Sequence, residues 1–170
     1  DKVVDGCALT QGKVVLGFGY YVARVKFQRE PGHWSAFWLT GKDTVRVGDE
    51  GRDGTEIDIM ERAWYDDRIA HNLHWDGYGQ EHTHAGTHVQ VAGLNQGYHD
   101  CALWWTPDEY IFYIDGKETW RSKDGGVCQS PRHILLSGEI GKWAGDIKKA
   151  KLPDDFLVDY VRYYELSDGK

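Results

Sequence analysis

Apolar and polar residues alternate with period two along much of this chain. In Tyr20–Phe27, Tyr21, Ala23, Val25 and Phe27 fall on one side and Val22, Arg24 and Lys26 on the other, the pattern of a β-strand with two unlike faces. Trp34–Leu39 is apolar apart from Ser35, so protein or ligand is expected to cover both of its faces. Further strands are predicted at Thr55–Glu61, Ile69–Trp75, Thr87–Ala92, Asp100–Thr106, Tyr110–Ile114, Glu118–Arg121, His133–Glu139 and Phe156–Glu165. Turn signals separate them: Pro31-Gly32, Asp53-Gly54, Asp76-Gly77, Asn95-Gln96-Gly97, Pro107-Asp108, Asp115-Gly116 and Asp124-Gly125-Gly126. Asp115-Gly116 gives the clearest hairpin. Gly41–Gly54 reads as a long mobile loop, and Asp146–Asp155 as the one place for a short helical turn. About ten short strands without an internal repeat predict an all-β domain, a sandwich or a barrel.

Composition agrees and narrows the function. The 170 residues include 21 Gly and 8 Trp, as expected for short strands, tight turns and an aromatic-rich core or surface. The formal charge of −7 sets the surface against phosphate backbones, so a nucleic-acid partner is not expected. No apolar run approaches the roughly 18 residues of a membrane span, and no membrane partner is expected. The first residues lack the basic and apolar regions of a signal peptide. Cys7, Cys101 and Cys128 allow at most one internal disulfide, and no Cys-x-x-Cys pair suggests structural zinc.

Thr55-Glu56-Ile57-Asp58-Ile59-Met60-Glu61 is the segment that composition does not explain. Acids are disfavoured in strands, and buried carboxylates cost several kcal/mol each unless paired or solvated. Glu56 and Asp58 share a face. Glu61, five residues from Glu56, turns away unless one bulge residue at Ile59 or Met60 brings it back. The effective spacing is then four residues, about 13 Å between Cα atoms. Inward-leaning side chains leave roughly 5–6 Å between carboxyls, the separation at which one carboxylate attacks a sugar while its partner donates a proton. Asp58 lies between them, placed to hydrogen-bond the nucleophile and to raise the acid's pKa by like charge.

Glu56-Ile57-Asp58-Ile59-Met60-Glu61 resembles the bulged Glu-x-Asp-x-x-Glu signature of glycoside hydrolase family 16, found in its laminarinase and agarase branches. Gly19–Lys26, Gly32–Leu39, the Trp104-Trp105-Thr106-Pro107-Asp108 hairpin with Ile111–Gly116, and Val158–Tyr163 resemble other strands of that family, in the same order. The resemblance implies a jelly-roll sandwich of two antiparallel sheets, the concanavalin A-like lectin/glucanase fold. Glu56 would be nucleophile, Asp58 the assisting acid and Glu61 acid/base. Residues 1–170 then read as a single catalytic domain that lacks the family's first strands.

Sugars stack their C–H faces on aromatic rings. Trp34 and Trp38 share a strand face, Trp143 lies in a Gly-flanked loop, and Trp105 holds a family-matched position. These four are the candidate substrate-binding rings, against the alternative that they fill the core. Trp64, Trp75 and Trp120 have no comparable case. His71, His74, His82, His84 and His88 cluster within eighteen residues. A metal site would need three or four of them to converge. The preferred reading places His74 beside a catalytic carboxyl or a sugar hydroxyl, and Asp76–His84 as a loop over the cleft. Arg24 faces either the cleft or a salt bridge. By resemblance, Asp159 sits where some family members hold a structural calcium ion; no cofactor is otherwise required.

The expected function is retaining, endo-acting hydrolysis of a β-linked polysaccharide, a β-1,3- or mixed-linkage glucan before a marine galactan. A carbohydrate-binding module or a transglycosylase on the same fold are the alternatives. A monomer is expected, acting in the extracellular space or periplasm by resemblance to exported relatives.

Overall fold

The computed structural model describes residues 4–63 and 65–166; Trp64 lies outside them. Eleven strands follow in order: β1 Gly6–Leu9, β2 Gly19–Lys26, β3 His33–Thr40, β4 Thr55–Arg62, β5 Arg68–Trp75, β6 Thr83–Gln90, β7 His99–Trp105, β8 Tyr110–Ile114, β9 Lys117–Ser122, β10 His133–Ile140 and β11 Leu157–Glu165. They form two antiparallel sheets. One has six strands in the order β1-β10-β3-β4-β5-β6; the other has five, β11-β2-β7-β8-β9. The fold is the expected jelly-roll sandwich.

Alternation decides which residues fill the space between the sheets. Tyr21, Ala23 and Val25 of β2 and Leu103 and Trp105 of β7 meet Phe37 and Leu39 of β3, Ile57 of β4 and Leu73 of β5, all without exposed surface. Each large apolar chain buried this way contributes about 1.5–3 kcal/mol. Arg132, also fully buried, forms an ion pair with Asp43 and so ties the loop after β3 to the segment before β10. Glycine is required at the tip of the β8–β9 hairpin, where Asp115 and Gly116 have φ of 50° and 75°, the left-handed region of a two-residue hairpin turn.

One strand boundary, one edge strand and the helical turn differ from expectation. The polar, edge-exposed segment predicted as Thr87–Ala92 pairs from Thr83 to Gln90, because an exposed edge strand carries little hydrophobic signal. β1 was not predicted for the same reason: all four of its residues are exposed at a sheet edge. The helical turn predicted at Asp146–Asp155 is realised as the 3-10 turn Ile147–Lys149, and a second 3-10 turn, Lys142–Ala144, precedes the predicted range.

Candidate active site

The catalytic candidates are set by one irregularity in β4. Opposite β3, Phe37 pairs with Met60 but Trp38 pairs with Asp58. Opposite β5, Asp58 pairs with Asn72 and Glu61 with Ala70. Ile59 is therefore the extra residue, and β4 gains one position on both neighbours. Ile59 and Met60 both turn into the core with no exposed surface, so Glu56, Asp58 and Glu61 emerge together on the outer face. A bulge at the predicted place thus brings the third acid into line.

The three acids line a cavity of about 500 Å³ on the six-stranded sheet. Its walls come from neighbouring strands through the same alternation. β3 contributes Trp34 and Trp38, β5 contributes Asn72 and His74, and β10 contributes Glu139. Tyr78 and His82, from the segment joining β5 to β6, close one end, and Trp143 stands at the other.

Each acid has its own partner. Tyr78 donates its hydroxyl proton to Glu56, and Asn72 donates its amide N–H to Glu61. Asp58, 4% exposed, faces His74, whose Nε2 lies 3.4 Å from its Oδ2. The other ring nitrogen of His74 is 3.0 Å from Nε2 of His82. The rings of His74, His82 and His84 are stacked, with His74 and His82 centroids 5.1 Å apart. Burial pushes His74 down to a pKa of about 4, with its two imidazole neighbours adding to the shift. His74 is therefore neutral near pH 7.

Burial in a group of like charges dominates the acids. Desolvation raises Glu56 to about 7 against the opposing Tyr78 hydrogen bond, with Glu61 and Glu139 adding to the rise. Asp58 is raised well above the carboxylate range by burial and by Glu61, Glu56 and Glu139. Glu61 is also raised, first by burial, while Asn72 and the nearby Trp34 favour its charged form. The Trp34 indole N–H is buried and stops short of a full hydrogen bond. Such groups titrate as a set, with protons shared across it. The set is suited to proton transfer: one carboxyl can hold a proton while another is ionised.

One oxygen each of Glu56 and Asp58 and one nitrogen of His74 lie within 4.8 Å of one another. They are the one group of three or more acids, cysteines or histidines among the described residues close enough to share a divalent cation. The histidine cluster as a whole does not converge. His71 is fully buried between the Ile59 carbonyl and the Thr119 hydroxyl, and Phe112 packs against its ring.

Two site expectations are corrected. Trp105 is not a cleft residue: β7 lies in the other sheet, and Trp105 faces inward, fully buried against Phe18, Tyr21 and Tyr110. Its neighbour Trp104 is 41% exposed on the opposite face of that sheet, remote from the acids. Asp159 does not fit a calcium ligand. Its carboxylate, 57% exposed, pairs with Arg24 at 3.7 Å, and a guanidinium opposes a dication. Arg24 thus forms salt bridges, to Asp159 and Asp100, and does not face the cleft. Trp75 and Trp120 pack in or against the core.

Sequence reading missed Asn72, Tyr78, His82 as a wall residue, and Glu139. Asn72 follows from His74 by alternation, and Glu139 shows the same anomaly as the β4 acids, a carboxylate ending an apolar strand. Tyr78 and His82 lie in the loop expected over the cleft, but which of its residues point inward depends on tertiary contacts.

The chain matches the profile of Glycosyl hydrolases family 16 over residues 3–162. Keratan-sulfate endo-1,4-beta-galactosidase of Sphingobacterium multivorum is 29% identical over 170 residues, covering 95% of this chain and 40% of that protein. A beta-glucanase of Rhodothermus marinus is 24% identical, covering 92% of this chain and 60% of that protein. The laminarinase catalytic domain of Thermotoga maritima superposes with a TM-score of 0.77 at 26% identity, covering 95% of this chain and 69% of that one. The chain spans about half the length of these two curated relatives. With a matching profile over nearly its whole length and three acids aligned by a bulge on the outer face of the sandwich, the chain belongs to glycosyl hydrolase family 16.

Proposed function

We propose that this protein cleaves a β-linked polysaccharide internally by double displacement, and that the bulge-aligned acids carry the chemistry. Glu61 protonates the glycosidic oxygen as the bond to the anomeric carbon breaks, while Glu56 attacks that carbon and forms a covalent glycosyl-enzyme. Glu61, now ionised, takes a proton from water, whose oxygen displaces Glu56. Asp58 sits between them and opposes loss of the second proton from the group. Tyr78 steadies the ionised nucleophile through its hydrogen bond, and Asn72 orients the acid/base. Trp34, Trp38 and Trp143 offer faces for sugar rings.

A β-1,3- or mixed-linkage glucan is the first substrate reading, supported by the Rhodothermus beta-glucanase and the Thermotoga laminarinase. A β-galactan is the second, favoured by the Sphingobacterium relative. All three acids come from one strand of one chain, which supports action as a monomer. Polymers of this kind are met outside the cytoplasm, which supports an extracellular or periplasmic location. Among the described residues no helix is long and apolar enough to cross a membrane.

Glu56→Gln is expected to abolish release of reducing ends while binding of glycan persists, and early product NMR on the parent protein to show the β configuration retained. Unchanged turnover in the variant would remove Glu56 as nucleophile; an α first product would exclude double displacement.

A further inference from the structure

A fourth carboxylate stands in the cleft with no assigned task. Glu139 lies on β10 directly opposite Trp34 of β3, at the end where Trp143 meets Trp34 edge-to-face at 4.8 Å. It lines the same cavity as the three β4 acids. Among the described residues it makes no hydrogen bond and no ion pair. Its carboxylate is only partly buried and open to the cleft, so a ligand held there meets it directly. Beside it, the buried indole N–H of Trp34 also lacks a full hydrogen bond. This end of the cleft therefore presents a carboxylate acceptor without a protein partner and an indole N–H that leans towards Glu61 without a full hydrogen bond, below an aromatic wall.

Sugar hydroxyls satisfy both groups, since each hydroxyl donates and accepts. A sulfate or uronate only accepts and carries negative charge. Among the described residues no Lys or Arg lines the cavity, and His74, held neutral by burial, offers no counter-charge near pH 7. Each ionised carboxylate in this partly dry cleft repels an anionic sugar more strongly than the same charge would in water. The raised pKa values of all three β4 acids, to which Glu139 contributes, accord with that crowding.

We propose that the cleft accepts uncharged glycan chains and that Glu139 is the residue that excludes sulfated or uronic acid-bearing ones, hydrogen-bonding the hydroxyls of a neutral sugar held against Trp34 and Trp143. The proposal rests on the glycan-hydrolase reading of the same site. It sets neutral glucans and unsulfated galactans apart from porphyran- or carrageenan-like polymers, whatever the linkage.

The test needs a matched pair. A panel of laminarin, lichenan and agarose identifies a neutral polymer that the protein cleaves. Short oligosaccharides of that polymer, plain and chemically sulfated, are then compared as competitive inhibitors of its hydrolysis. The parent protein is expected to bind the plain oligosaccharide at least about tenfold more tightly than the sulfated one. Glu139→Gln should close that gap by about tenfold, mainly through tighter binding of the sulfated form, while Glu139→Asp keeps it. Thermal melting checks that each variant is folded. An unchanged gap in Glu139→Gln, or equal binding of both oligosaccharides by the parent, would overturn the proposal and leave the hydrolase reading standing. Failure to cleave any glycan, neutral or sulfated, would instead remove the hydrolase reading and this proposal with it.

Discussion

At the scale of single residues, the cleft is unfavourable to the fold that carries it. Glu56 keeps its proton to about pH 7 in the folded chain, against about 4.3 for an unperturbed glutamate. Below the unfolded value both states are protonated and the group has no effect on stability. As pH rises towards 7, the unfolded chain releases the proton that the folded chain still holds, and stability falls. Above 7 the full cost is present. Glu56→Gln removes it. The variant is therefore expected to melt higher than the parent at pH 8, by up to about 3 kcal/mol in stability, with the difference fading below pH 4.5. Melting curves across pH 4–9 check this; a gain that is equal at both ends would mean that Glu56 is not held protonated by burial. Acids in an apolar strand are legible as an anomaly in the sequence. So is the like-charge effect between Asp58 and its neighbours, but the contributions of Glu139 and Tyr78 are not, because these residues are distant in the chain or on a loop.

At the scale of elements, the bulge in β4 controls the site. The five-residue offset between Glu56 and Glu61 already required one extra residue, and the register places it at Ile59. Deleting Ile59 should restore plain alternation: Glu56 and Asp58 outward, Met60 inward, and Glu61 outward at its new position. The acids stay on one face, but a fully buried side chain is lost, at a cost of about 2–5 kcal/mol. The expected outcome is a folded protein with a lower melting temperature and measurable residual hydrolysis. Complete loss of activity in a folded deletion variant would show that the bulge sets the carboxyl geometry beyond choosing the face. Central strands were readable because one or both faces are buried and the apolar pattern is strong. β1 and the start of β6 were not, because edge strands are held by backbone hydrogen bonds that leave little mark on side-chain pattern.

At the scale of the whole molecule, two tryptophans that look alike in the chain have opposite roles. Trp105 is enclosed between the sheets, and Trp143 is 47% exposed at the cleft end. Trp105→Ala is expected to cost about 3–5 kcal/mol, a fall of at least about 6 °C in melting temperature. Trp143→Ala should leave melting within a few degrees and weaken binding of long glycan by about three- to tenfold. Calorimetry and inhibition by oligosaccharides separate the two; the reverse ordering would exchange their assignments. At this scale too, Arg24 reaches Asp159 from the neighbouring strand β2, a contact that no local pattern in the chain announces.

The sequence by itself determined the strand pattern, the need for a bulge between Asp58 and Glu61, and the trio of acids sharing one face. These depend on the two-residue period of a strand and on local spacing, which the chain states directly. The tertiary structure decided which sheet each strand joins, and with it that Trp34, Trp38 and Trp143 line the cleft while Trp105 fills the core. It also brought Asn72, His74, Tyr78 and Glu139 around the acids. Period two tells which residues lie on the same side of a strand; only the stacking of the sheets tells whether that side meets the core or the cleft.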